Sequence, residues 1–137
     1  MKIDEEKEKI IQQKYAELYQ LDMNMRQLQQ QIEAINQQSL ELEAVTQSLD
    51  ELKSVEKGSE TNCMLTPGIF VKAKILDTEK VLLNVGGGTI VEKTIEQAKE
   101  ILQSQSLELK ALQDELTKKL DDFADKAKKL QEEFQKL

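Results

Sequence analysis

Two runs of apolar residues, separated by a glycine-rich centre, repeat in alternating steps of three and four and leave this chain few folds to choose from. In the first run, Leu18, Leu21, Met25, Leu28, Ile32 and Ile35 occupy the a and d positions of a coiled coil. The series continues through Ser39, Leu42, Thr46 and Leu49. A competing stripe of Leu42, Val45, Leu49 and Leu52 predicts a change of register after Ser39. No glycine or proline precedes Gly58, which supplies a left-handed stop, and Asp4, Glu5 and Glu6 place negative charge at the positive end of the helix dipole. A helix over residues 4–57 would be ~75–80 Å long, more than a small globular core can bury.

The second run starts at a capping box, with Thr94 as N-cap and Gln97 reaching back. Ile95, Ala98, Leu102, Gln105, Leu109, Leu112 and Leu116 form its a/d series, followed by Leu120, Phe123, Ala127, Leu130, Phe134 and Leu137. The consecutive steps of four from Leu112 to Leu120 predict a stutter, which locally unwinds a left-handed coil. Two seams of similar length joined by a compact link predict an antiparallel pair over 4–57 and 94–137. If Val55 lies opposite Ile95, paired residue numbers sum to about 150, and the first helix overhangs by roughly two turns at its free end. The same count places Thr46 and Gln105 in one polar layer. The three Phe, two Tyr and no Trp suit such a narrow seam better than a compact core.

Residues 58–93 contain all five glycines and the only proline. Ile69, Val71, Ala73 and Ile75 alternate on one face of a predicted strand; Val81, Leu83 and Val85 do so on another, and Thr89-Ile90-Val91 is a further β-branched stretch. Turn chemistry at Thr66-Pro67-Gly68, Asp77-Thr78-Glu79-Lys80 and Gly86-Gly87-Gly88 divides the segment into four strands and two hairpins. Hairpins this small have free edges and too little area to be stable alone. They predict oligomerisation through Ile69, Val71, Ala73, Ile75, Val81, Leu83, Val85 and Ile90.

Several functions are disfavoured. The net charge of −7, from 26 acidic and 19 basic residues, does not suit a nucleic-acid-binding surface. The chain has no histidine and a single cysteine, Cys63, so neither a typical zinc site nor a histidine base is available, and no metal or cofactor is expected. Gly86-Gly87-Gly88 lacks the lysine of a phosphate-binding loop. No enzymatic activity is expected. Cys63 falls in a predicted strand and reads as a buried structural thiol. The absence of a membrane-length apolar run or signal-like segment, with one cysteine, predicts a cytoplasmic protein without a membrane partner.

The order long helix, two hairpins, long helix resembles an α-class prefoldin subunit. The resemblance is carried by Gly58-Ser59-Glu60-Thr61, Phe70-Val71-Lys72-Ala73-Lys74-Ile75, Asp77, Val81, Val85-Gly86-Gly87-Gly88 and Val91-Glu92-Lys93-Thr94. One departure is Asn62-Cys63-Met64-Leu65, which stands where the family has an apolar Pro-Gly-type turn. The resemblance implies a hexamer of two α-class and four β-class subunits whose hairpins close an intersubunit β-barrel. It further implies ATP-independent capture of unfolded client proteins at the coiled-coil tips, and delivery to a group II chaperonin in an archaeal-type cytosol. Client contact would fall to Ile3, Ile10, Ile11, Tyr15, Phe134 and Leu137, with ordinary seam packing as the competing role. The alternative function is a prefoldin-like structural adaptor that scaffolds a multiprotein complex.

Overall fold

The computed structural model describes residues 2–136, with side chains from residue 4 onward. Six elements follow in order: α1 (Lys2–Lys53), β1 (Glu60–Thr66), β2 (Ile69–Lys74), β3 (Lys80–Gly86), β4 (Thr89–Thr94) and α2 (Ile95–Lys136). The fold is mainly α, with two β-hairpins inserted between two long helices. It divides into two compact units, one comprising the chain up to Ser39 and from Glu108, the other Leu40–Leu107.

In the first unit the helices run antiparallel. Lys14 pairs with Glu133 at 2.7 Å, the Tyr15 and Phe134 rings lie 4.7 Å apart, and Gln113 donates a hydrogen bond to Asn36 at 2.5 Å. These partners' numbers sum to between 147 and 149, close to the register read from the sequence. Leu28, Ile35 and Leu116 are buried, with Ile32, Leu109, Leu120 and Phe123 packed around them. The stutter expected from Leu112 to Leu120 is absent. Gln113 is half-buried and Leu112 is exposed, so the seam runs Leu109, Gln113, Leu116, Leu120, Phe123, Ala127, Leu130 and Phe134 in alternating steps. A glutamine fits this position because its amide swings to the seam's edge and bonds Asn36 there.

In the second unit, Lys53 pairs with Glu96 and Lys99 with Asp50 at 2.6 Å, both pairs summing to 149. The register change expected after Ser39 does not occur there: Thr46 is half-buried while Val45 is exposed, so the original a/d series holds. It drifts only at Leu49, Leu52 and Val55, all half-buried and spaced by three. The amides of Ser54 and Val55 bond the carbonyls of Glu51 and Leu52, tightening the helix end as 3₁₀-type bonds do. Gly58, at φ +89°, then turns the chain into β1. At the other junction Gln97 N–H donates to Thr94 Oγ1 and Thr94 N–H donates to Gln97 Oε1, both at 3.1 Å, completing the expected capping box.

Both hairpins are antiparallel and share one device. β1 and β2 pair from Glu60↔Lys74 to Met64↔Phe70, then Leu65 bulges so that Thr66 meets Ile69 across Pro67-Gly68. β3 and β4 pair from Lys80↔Thr94 to Asn84↔Ile90, then Val85 bulges so that Gly86 meets Thr89. Gly68 at φ +89° follows proline as a type II turn requires, while Gly87 and Gly88 at +59° and +77° make a type I′ turn. Asp77 carboxylate accepts the amides of Glu79 and Lys80 at 2.8 and 3.2 Å, fixing the link between the hairpins.

The Lys99 ammonium hydrogen-bonded to Asp50 holds its carboxyl below the ordinary carboxylate range, and the Glu79 and Lys80 amides do the same for Asp77. A carboxylate with a lowered folded pKa stabilises the fold above its unfolded value, and that contribution is lost as pH falls through the folded one. Asp50→Asn should therefore lower the melting temperature slightly at neutral pH and reduce the further loss on acidification to about pH 3, as followed by circular dichroism. An unchanged acid dependence would show that the Asp50–Lys99 contact contributes nothing to stability.

Candidate functional site

Two surfaces carry apolar side chains that the chain's own packing does not cover. The larger belongs to the hairpins. Among the described residues neither two-stranded sheet has a third strand, so each presents two free edges. On the first hairpin, the register puts Cys63 opposite Val71 and Thr61 opposite Ala73 on one face, and Met64 opposite Phe70 on the other. On the second, Leu83 lies opposite Val91 and Val81 opposite Lys93, while Leu82 shares the reverse face with Asn84 and Ile90.

The structure thus places most of the expected assembly residues on two faces. Ala73, Ile75, Val81 and Leu83 are half-buried. Ile69, Val71 and Val85 are exposed, Val85 at its bulge. Ile90 is separated from this set: its pairing with Asn84 turns it to the opposite face, beside Leu82, and these two are 62% and 74% exposed. Cys63 is exposed rather than buried, because nothing in this chain covers its face of a two-stranded sheet. Sequence reasoning passed over Met64, Leu65, Phe70 and Leu82, all exposed apolar residues. The signal was there for Leu82, which interrupts the expected apolar-polar alternation of β3.

The second surface lies at the free helix ends, within the unit that holds Leu28 and Leu116. Ile10 is exposed and Ile11 half-buried. Tyr15 is 63% exposed yet rests its ring against half-buried Phe134 at an interplanar angle of 41°. Phe134 is therefore the last seam rung as well as a tip residue. The side chain of Ile3 and the whole of Leu137 lie outside the described residues. Two further exposed residues, Tyr19 and Met23, follow Tyr15 at steps of four on α1. Their off-seam spacing from Tyr15 is the sequence feature that could have found them. Near this end, Lys14–Glu133 ties the helices together without covering Tyr15 or Tyr19. Local charge is mixed: Lys7, Lys9 and Lys14 alternate with Glu5, Glu6, Glu8 and Glu17. Such a surface offers apolar contact without a strong preference for either sign of charge.

No helix among the described residues is long and apolar enough to cross a membrane.

Comparison with known proteins agrees with this arrangement. The family model for prefoldin subunits matches residues 21–137. Prefoldin subunit alpha of Methanocorpusculum labreanum is 30% identical over 125 residues, covering 91% of this chain and 84% of that protein. Prefoldin subunit alpha of Methanococcoides burtonii is 37% identical over 91 residues, covering 61% of this chain and 66% of that protein. Among solved structures, a chain of filamentous PFD from Methanocaldococcus jannaschii, determined by cryo-electron microscopy, has a TM-score of 0.79 at 18% identity. That match covers 87% of this chain and 98% of the other, and it speaks to the fold alone. Taken with the helix–two-hairpin–helix order, these matches establish that the chain belongs to the prefoldin subunit family, with archaeal α-class subunits among its relatives.

Proposed function

We propose that this chain is the α-class subunit of an ATP-independent holdase, assembling through its hairpins with β-class subunits and binding non-native proteins at its helix tips. The observation that carries the reading is the pair of two-stranded sheets with free edges and uncovered apolar faces. An isolated two-stranded hairpin is marginal in water, and an exposed strand edge is a template for another strand. Pairing with hairpins of other subunits satisfies both edge and face, and closing the strands into an intersubunit barrel removes the edges altogether. Family membership supports a hexamer of two α-class and four β-class subunits, working in the cytoplasm.

The tip half of the proposal rests on Ile10, Ile11, Tyr15 and Phe134. Exposed apolar patches commonly mark interaction sites, and several weak contacts from neighbouring subunits add up by avidity. Such contacts suit clients that share only exposed apolar chain. Transfer of the client to a group II chaperonin would complete the cycle, with neither nucleotide nor metal bound by this subunit.

Changing Val71 and Val85 together to Asp should abolish the oligomer. In the assembled state both carboxylates would be buried without partners, a strongly unfavourable arrangement. Light scattering should report loss of the large species, while far-ultraviolet circular dichroism keeps most of its helical signal. An oligomer of unchanged mass would refute assembly through these strands.

At the tips, Ile10→Ser, Ile11→Ser and Tyr15→Ser should leave the complex intact and weaken protection of a chemically denatured protein diluted into it, read by turbidity. Protection by the wild-type complex should be the same with ATP, without ATP and with EDTA. A matched change in the β-class tips resolves the case in which those subunits dominate capture. Full protection with both classes altered would remove the tips as the client site. Tight binding of one protein without protection of others would instead support a scaffolding adaptor.

A further inference from the structure

Within the Leu40–Leu107 unit the seam is closed at one end and loose beyond it. Ile95 and Ala98 are buried at the start of α2, and Lys99–Asp50 clamps the helices one residue further along. Beyond that clamp no residue of α2 up to Leu107 is buried, and none of α1 from Leu40 to Lys53 is. A groove of about 660 Å³ opens there, lined by Leu42, Ala44 and Thr46 of α1 and by Leu102, Gln103 and Ser106 of α2, among others. Gln105, expected to share a polar layer with Thr46, is exposed and does not line it. Gln103, which the pairing sum of 149 sets level with Thr46, lines it instead, with Ser106 about one turn further along α2.

The sequence explains the gap. Ala98, Leu102 and Ser106 are spaced by two successive steps of four, the pattern that unwinds a left-handed coil locally. Ser106, itself exposed, lines the groove with a small side chain that fills little of it. Leu40 lines the groove yet stays exposed, and Val45 and Leu107 are exposed without lining it. Thr46 also needs nothing from α2, because its hydroxyl donates to the Leu42 carbonyl of its own helix at 2.9 Å. Separating the helices here therefore costs Thr46 no hydrogen bond to α2.

We infer that the stretch around Thr46 and Ser106 is a built-in point of local opening. The two helices part here and close again, the turns that lose their seam contacts fraying as they part, with Ile95, Ala98 and the Asp50–Lys99 pair holding the hairpin side shut. Its use, yielding when a client loads the coil, rests on the client-binding reading; the opening itself does not.

Hydrogen exchange of the assembled complex, read by mass spectrometry, tests this. In the wild type, peptides covering residues 40–50 and 99–107 should exchange faster than those covering 18–35 and 113–130. Filling the groove with Thr46→Leu and Ser106→Leu, or more gently with Thr46→Val and Ser106→Ala, should slow those peptides while leaving the others unchanged. The leucine pair should give a slowing of about tenfold or more. Uniform protection along the wild-type helices would overturn the inference, and that measurement needs no variant to fold. Filled variants that assemble but exchange as the wild type does would overturn it too, since the groove would not be the cause. Loss of client protection on changing Ile10, Ile11 and Tyr15 is read separately, so the client reading can fail while the opening stands.

Discussion

Each of the two long helices has only the other to bury its apolar stripe against. In the first unit the stabilising contacts are the side chains of Leu28, Ile35 and Leu116 and their neighbours, meeting across one antiparallel seam. Every other feature needs that seam in register: a slip by one heptad would part Tyr15 from Phe134 and Lys14 from Glu133. Charged groups contribute less. The cross-helix ion pairs lie at the surface, where solvent screening leaves such pairs a small contribution. Burial sets the strength of the pair, and the Asn36–Gln113 hydrogen bond helps to set its alignment.

The hairpins obey a different constraint. Their turns are fully specified locally, by Pro67-Gly68 in one and Gly87-Gly88 in the other, each preceded by a one-residue bulge. Their faces are only partly covered locally, and Leu82, Ile90, Met64 and Phe70 remain in water. Local geometry built with care around an uncovered apolar face is what a subunit interface needs. The bulges at Leu65 and Val85 also increase local twist, which favours curved sheets over flat ones.

Much of this was legible in the sequence where the signal was periodic. The a/d steps gave the helix pair, the capping box gave the start of α2, and the antiparallel count came within a few residues of the observed pairing. Reasoning failed where a polar residue took a seam position. Gln113 displaced Leu112 because a long amide can lie across the seam and bond at its edge, and Thr46 displaced Val45 because its hydroxyl is satisfied within α1. An apolar-only reading discards both residues and so shifts the register. In the hairpins, the bulge at Val85 changes which residues lie opposite one another, and so sets Ile90 on the face away from Leu83, which alternation alone does not reveal. Cys63 was misplaced for a simpler reason: strand character implies burial only when something covers the strand.

The central claim is that the uncovered hairpins are completed by those of other subunits. Native mass spectrometry of this chain mixed with an archaeal β-class prefoldin subunit tests it most directly. The account predicts one dominant complex with the mass of two copies of this chain and four of the partner. Persistence of this chain as a free monomer, at partner concentrations where archaeal prefoldins are fully assembled, would contradict it.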